Sequence, residues 1–221
     1  MTGKRSDPEL PLFGKPERIN NPERALQRLA AEAQICTRCD LYSHATQAVC
    51  GEGPAQAALM LVGEQPGDQE DVTGRPFVGP AGKVLDRALA SAGIDRAEVY
   101  ITNAVKHFKN EPRGKRRLHK KPDTREIDAC RRWLDRELAI VAPRIVVALG
   151  ATAARALARK SLTINANRGR LIALPEGRHG VITVHPSYLL RLLEERDKRR
   201  EFDLLVKDLR FAAEAASRAR P

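Results

Sequence analysis

The chain has 221 residues, with 39 lysines and arginines against 28 acids and a formal net charge of +11; this balance favours a polyanionic partner, nucleic acid foremost. The length suits one α/β domain with a sizeable core. No apolar run approaches the roughly 18–20 residues of a membrane span, and the polar N-terminus with Pro8, Pro11 and Pro16 does not read as a signal peptide. A cytoplasmic protein without a membrane partner is therefore expected, in which the four cysteines serve as metal ligands, structural thiols or redox groups and not as disulfides.

In chain order, residues 1–20, rich in proline and charge, read as a flexible extension and 21–221 as a single domain. Asn21-Pro22 opens a helical pattern through Ala25, Leu26, Leu29 and Ala30, with Pro22 suited to a first-turn position. Residues 58–63 form a continuous apolar run of the kind buried on both faces of a parallel sheet, and similar runs recur at 99–105, 145–149 and 181–184. Helical patterns at 80–93, 124–140 and 151–159 alternate with them, and a last amphipathic segment covers 200–217. The alternation predicts a three-layer α/β/α fold with a central, mainly four-stranded parallel sheet and right-handed crossovers. His44 and His179 read as surface residues, Trp133 as core, and the run 194–201 as a solvated helix end.

Ligands of such a fold gather beyond the carboxyl ends of the strands. Those ends carry Gly63-Glu64-Gln65-Pro66-Gly67, then Asn103, then Gly150, then His185-Pro186-Ser187. Between residues 106 and 121 lie Lys106, Lys109, Arg113, Lys115, Arg116, Arg117, Lys120 and Lys121 with the single acid Glu111. His119 sits among these cations, which places a base or nucleophile where a phosphodiester backbone would lie; a solvated loop with an incidental histidine is the plainer alternative. Glu64, Asn103, His119 and His185 are thus expected to converge on one rim. Two nucleotide-loop patterns fail: Val84 follows Gly79-Pro80-Ala81-Gly82-Lys83 where a hydroxyl should bind magnesium, and Gln56 replaces the third glycine after Gly51-Glu52-Gly53.

Gly63-Glu64-Gln65-Pro66-Gly67, Gly74-Arg75-Pro76-Phe77-Val78-Gly79, Thr102-Asn103-Ala104-Val105-Lys106 and His185-Pro186-Ser187, in this order and spacing, make residues 32–214 resemble the uracil-DNA glycosylase superfamily in its iron–sulfur, family-4-like part. Gln65 and the segment Lys115-Arg116-Arg117-Leu118-His119 are similar to the UdgX branch, whose members excise uracil and become covalently attached to the abasic DNA. The resemblance implies uracil-containing DNA as substrate, with single strands preferred, free uracil as product and a monomeric protein. It implies catalytic roles for Glu64, His119 and His185, substrate contacts from Gln65, Asp68, Phe77, Asn103 and Arg191, and DNA-backbone contacts from Lys115, Arg116, Arg117 and Lys120.

The chemistry asks for such residues independently. Breaking the glycosidic bond puts negative charge on the base and positive charge on the sugar, so a donor is needed at one end and an anion at the other. His185 suits the first and Glu64 the second, while His119 at the sugar C1′ would compete with water. Glu64 can alternatively orient His119 by taking its proton. Asn103 can read the uracil edge or cap a strand end, and Phe77 can stack on the base or serve as a core aromatic. By resemblance, Cys36, Cys39, His107 and Cys130 hold a [4Fe–4S] cluster, with Cys50 a structural thiol; Cys50 in place of His107, or zinc in a Cys3His site, are the alternatives. A turning-over glycosylase in which His119 only binds phosphate, and a noncatalytic iron–sulfur nucleic-acid-binding module, are the competing functions.

Overall fold

A computed structural model describes residues 20–114 and 116–218. Residues 1–19 of the expected extension and Lys115 lie outside the described residues. Helix α1 (Pro22–Gln34) starts where the sequence places it: the Asn21 side chain accepts the Arg24 N–H at 2.8 Å, and Pro22 fills the first turn, where no N–H is required. There follow β1 (Leu59–Gly63), α2 (Asp68–Thr73), α3 (Pro80–Ala92), β2 (Tyr100–Asn103), β3 (Asn110–Arg113), β4 (Arg116–His119), α4 (Thr124–Val141) and β5 (Ile145–Leu149). The chain continues through α5 (Ala151–Ala158), α6 (Ile164–Asn167), β6 (Leu171–Ala173), β7 (His179–Thr183), α7 (Pro186–Arg191) and α8 (Glu195–Arg218). None of the described helices is long and apolar enough to cross a membrane.

The main sheet has five strands in the order β2-β1-β5-β7-β6. The first four are parallel and β6 runs antiparallel at the edge. Side chains alternate across a strand, and this divides the core. Met60, Val62, Val146 and Ala148 pack with Leu29 of α1, Leu134 of α4 and Leu157 of α5, whereas Leu59, Leu61, Val147 and Leu149 pack with Leu85 and Leu89 of α3 and Leu205 and Leu209 of α8. Each fully buried leucine contributes roughly 1.5–3 kcal/mol, and both faces of the sheet are covered. The expected three layers are present.

The strands differ from expectation in two places. The edge strand β6 is three residues long and half-exposed, too short to show a period. The basic loop is a hairpin: β3 and β4 pair antiparallel, with Asn110 opposite His119 and Arg113 opposite Arg116. Chain order reverses between β1 and β5, with β2 on one side and β7 on the other, so a crevice opens at their carboxyl ends.

Candidate active site

That crevice is a cleft of about 1140 Å³. Glu64, Gln65, Asp68, Phe77, Asn103, His119, His185 and Arg191 all line it, so the residues expected to act on substrate are brought together from the loops after β1, β2 and β7 and from the hairpin.

At the inner end, Asn103 is 1% exposed and its Oδ1 has no hydrogen-bond partner. A buried acceptor left unmet costs about 1–3 kcal/mol, and here it lines a cleft where an N–H of a ligand can meet it. Gly63 makes the space: a Cβ there would lie 2.3 Å from Asn103 Oδ1 and 2.5 Å from the Phe77 ring. Phe77 is held with a left-handed φ of 54°, a conformation that costs a non-glycine residue about 1–3 kcal/mol. It is over-determined by its surroundings. Gly82 lies against its backbone so closely that a Cβ would come within 1.9 Å of Phe77 O, and the Arg96 guanidinium donates to Pro76 O at 3.1 Å. Glu70, buried and not foreseen from the sequence, accepts Gly67 N–H at 3.1 Å and Gly79 N–H at 2.8 Å, tying together the two loops that carry the site.

His185 caps α7 and stands 5.8 Å from the Phe77 ring centroid. Its Nδ1 accepts the Ser187 N–H at 3.2 Å and lies 2.8 Å from Ser187 Oγ. With Nδ1 unprotonated, the neutral ring carries its proton on Nε2. Burial, helped by the Arg191 and His119 charges, pulls its pKa down to about 4. Since the unperturbed value is 6.5, the stability this neutral ring contributes is complete above pH 6.5 and is lost as pH falls through 4. His185→Gln is expected to flatten the fall in urea-derived stability between those pH values, and an unchanged slope would contradict the assignment.

Glu64 accepts a hydrogen bond from Thr152 Oγ1 on its Oε2, and its Oε1 lies 3.8 Å from His119 Nε2. The second separation is too long for a hydrogen bond. Thr152 was not singled out from the sequence, although a hydroxyl in the first turn after a strand's carboxyl end is a usable signal. The imidazole of His119 is half-exposed; desolvation lowers its pKa, Glu64 opposes this and Arg191 adds to it. Gln65 Nε2 is 2.9 Å from His119 Nε2. An amide nitrogen only donates, so His119 Nε2 is the acceptor and the ring proton sits on Nδ1.

Residues 50–210 match the family model described as the Uracil DNA glycosylase superfamily. The chain belongs to this superfamily. It is similar to a type-4 uracil-DNA glycosylase of Thermotoga maritima, 37% identical over 190 residues, which span 81% of this chain and 95% of that protein. Another type-4 enzyme, from Pyrobaculum aerophilum, is 38% identical over 176 residues, 75% of this chain and 85% of its own. A third, from Sulfurisphaera tokodaii, is 42% identical over 127 residues, 57% of this chain and 54% of its own.

On this superfamily fold the basic hairpin is docked by side chains. Gln65 Oε1 accepts Lys109 N–H at 3.0 Å while its Nε2 donates to Lys120 O at 2.9 Å, gripping the backbone at both ends of the hairpin. Of the four residues expected on the DNA backbone, Arg117 and Lys120 have partners within the chain. Arg117 pairs with Asp68 and Asp71, Lys120 with Glu111 at 2.5 Å, and Lys109 with Glu126 at 2.8 Å. Lys106, counted with the basic run from the sequence, is wholly buried: its Nζ pairs with Glu137 at 2.6 Å and donates to Asn103 O at 2.7 Å. Arg116 is exposed beside them.

The cysteines divide in two. Cys130 is pushed up to about 12 by burial, and both Cys39 and Cys36 act on its ionisation. Lys106 N–H points to Cys130 Sγ at 3.1 Å and Trp133 Nε1–H to Cys36 Sγ at 3.3 Å, donors that suit thiolate ligands. Trp133 is core, as expected, with Arg132 and Arg136 over its ring. Cys50, also pushed to about 12 by burial, has Lys106, Glu137 and Arg136 as its charged neighbours. His107 is buried, with desolvation lowering its pKa and Asp71 opposing. Among the described residues no three His, Cys, Asp or Glu side chains converge on one metal-ion position.

Proposed function

We propose that the chain is a uracil-DNA glycosylase of the UdgX branch that excises uracil, from single strands by preference, and captures the abasic sugar through His119. The observation that carries the reading is the placement of the His119 imidazole, held by Gln65 at the cleft and 3.8 Å from Glu64. A flipped or single-stranded base enters the cleft, and stacking on Phe77, worth about 1–3 kcal/mol, offsets the unstacking cost. Asn103 Oδ1, unmet in the free protein, accepts the uracil N3–H. His185 Nε2–H donates to the uracil oxygen on which charge accumulates, so the C1′–N1 bond breaks with its electron pair on the base.

Glu64, fixed by Thr152, faces the oxocarbenium ion. The His119 Nε2 lone pair then closes on C1′, and the Nδ1 proton leaves the half-exposed imidazolium to solvent. This requires Gln65 to let go of Nε2. Its amide has a third acceptor in reach, Lys109 O at 3.4 Å, so the released hydrogen keeps a partner. Uracil anion takes up a proton and departs as free uracil. The donor set of Cys36, Cys39 and Cys130, completed by His107, would hold a [4Fe–4S] cluster. Its role there is structural, joining the segment before the hairpin to α4, since excision transfers no electrons.

The test is a denaturing gel of the protein with a labelled single-stranded uracil oligonucleotide, beside a thymine control and His119→Ala. A uracil-dependent band that survives heat and detergent is expected, lost in His119→Ala while uracil release persists. Free abasic DNA without a stable band from the wild type would instead make it a turning-over glycosylase.

A further inference from the structure

We infer that Arg117 is a positioning residue that locks the hairpin in the geometry His119 needs for capture, and that it is not a DNA-backbone contact; the inference deepens the capture reading and rests on it. Alternate residues of a strand share a face, so Arg117 and His119 project from the same side of β4. Gln65 holds the open end of the hairpin. Arg117 holds its middle.

Four of the five N–H groups of the Arg117 guanidinium have partners. Its Nε donates to Asp68 Oδ1 at 2.6 Å and its terminal nitrogens to Asp71 Oδ2 at 2.5 Å, Thr46 Oγ1 at 3.2 Å and Asp68 O at 3.4 Å. Its Cζ lies 5.4 Å from the centroid of the Phe108 ring, which is also 6.0 Å from that of His119. The side chain of Asp71 is entirely buried and is itself fixed by the Thr46 N–H at 3.0 Å. Asp68 and Asp71 are three apart on one face of α2, the helix that follows Glu64 and Gln65 directly. The same short segment thus carries the anion of the site, the grip on the hairpin ends and the socket for Arg117. A guanidinium with two carboxylates has no charge to spare for a phosphate, whereas a fork with its planar geometry fixed at both ends sets the position of the strand it hangs from.

Arg117→Gln and Asp71→Asn attack the two ends of this strut. In single turnover with a uracil oligonucleotide, both are expected to lower the ratio of adduct to released uracil by about ten- to a hundredfold, the scale of an ångström's misplacement, with Arg117→Lys intermediate. General loss of stability does not shift that ratio, because capture by His119 and by water share the same excision step. Binding to a uracil-free oligonucleotide is measured alongside. The salt slope should be unchanged in Arg117→Gln; a fall of about 0.7, one phosphate on a single strand, with the ratio intact, would overturn the inference. If Arg117 touched phosphate, Asp71→Asn would free it and raise affinity and capture, the opposite sign. Amide exchange of residues 110–119 separates this inference from the capture reading. A wild type that forms no adduct refutes capture, and the strut then stands if exchange rises in Arg117→Gln and falls if it does not.

Discussion

Glu64→Gln is expected to slow uracil excision by about 10²- to 10³-fold, the scale of removing one preorganised charge-stabilising group from a site, while DNA affinity stays the same or tightens. The substitution keeps the shape of the side chain and an oxygen to accept the Thr152 hydroxyl, so the ring of His119 and the loop after β1 are undisturbed. What is lost is the negative charge facing the sugar as the bond to the base breaks. The substrate is a polyanion, so removing that charge favours binding of the ground state and disfavours only the cationic transition state. Single-turnover excision with a separate measurement of Kd distinguishes this from a folding defect. Excision within a few-fold of wild type would mean that the charge of Glu64 is not used.

Lys106→Met is expected to destabilise the fold by about 3–5 kcal/mol, because it strands a carboxylate with no exposed surface. For a chain of this size that is a fall in Tm of roughly 6–20 °C. Glu137 also accepts Gly51 N–H at 2.8 Å and the Thr102 hydroxyl at 2.9 Å, and these bonds persist in the variant without neutralising it. Adding Glu137→Gln removes the stranded charge and should return part of the lost stability; thermal and urea melts of the single and double variants measure it. A Tm within two degrees of wild type would contradict the burial of the pair. Because Lys106 Nζ also donates to Asn103 O, the single variant loosens the residue that meets the base.

The four parallel strands were legible because each is a short apolar run closed by a turn, and the strand ends then fixed where Glu64, Asn103 and His185 would meet. The hairpin was not, for a physical reason. Asn110–Arg113 and Arg116–His119 form a ribbon with no strand fully buried on either face, so no apolar alternation marks it and Pro112 argues against a strand. Cations in that segment also read as solvated charge by default. Only the fold shows that Lys106 is inside and that Arg117 and Lys120 have partners within the chain. Thr152 and Glu70 act through hydrogen bonds across more than one element, a relation that residue type alone does not announce.

The close approach of Gly82 to Phe77 has a bearing on which sequences can carry this cleft. Position 82 lies in α3, where glycine weakens the helix by roughly a kilocalorie relative to alanine, yet alanine there would drive its methyl into a peptide carbonyl. The aromatic wall of the cleft and a blemish in a neighbouring helix are therefore inherited together. A side chain at position 82 would reshape the cleft, although Gly82 is not among the residues that line it.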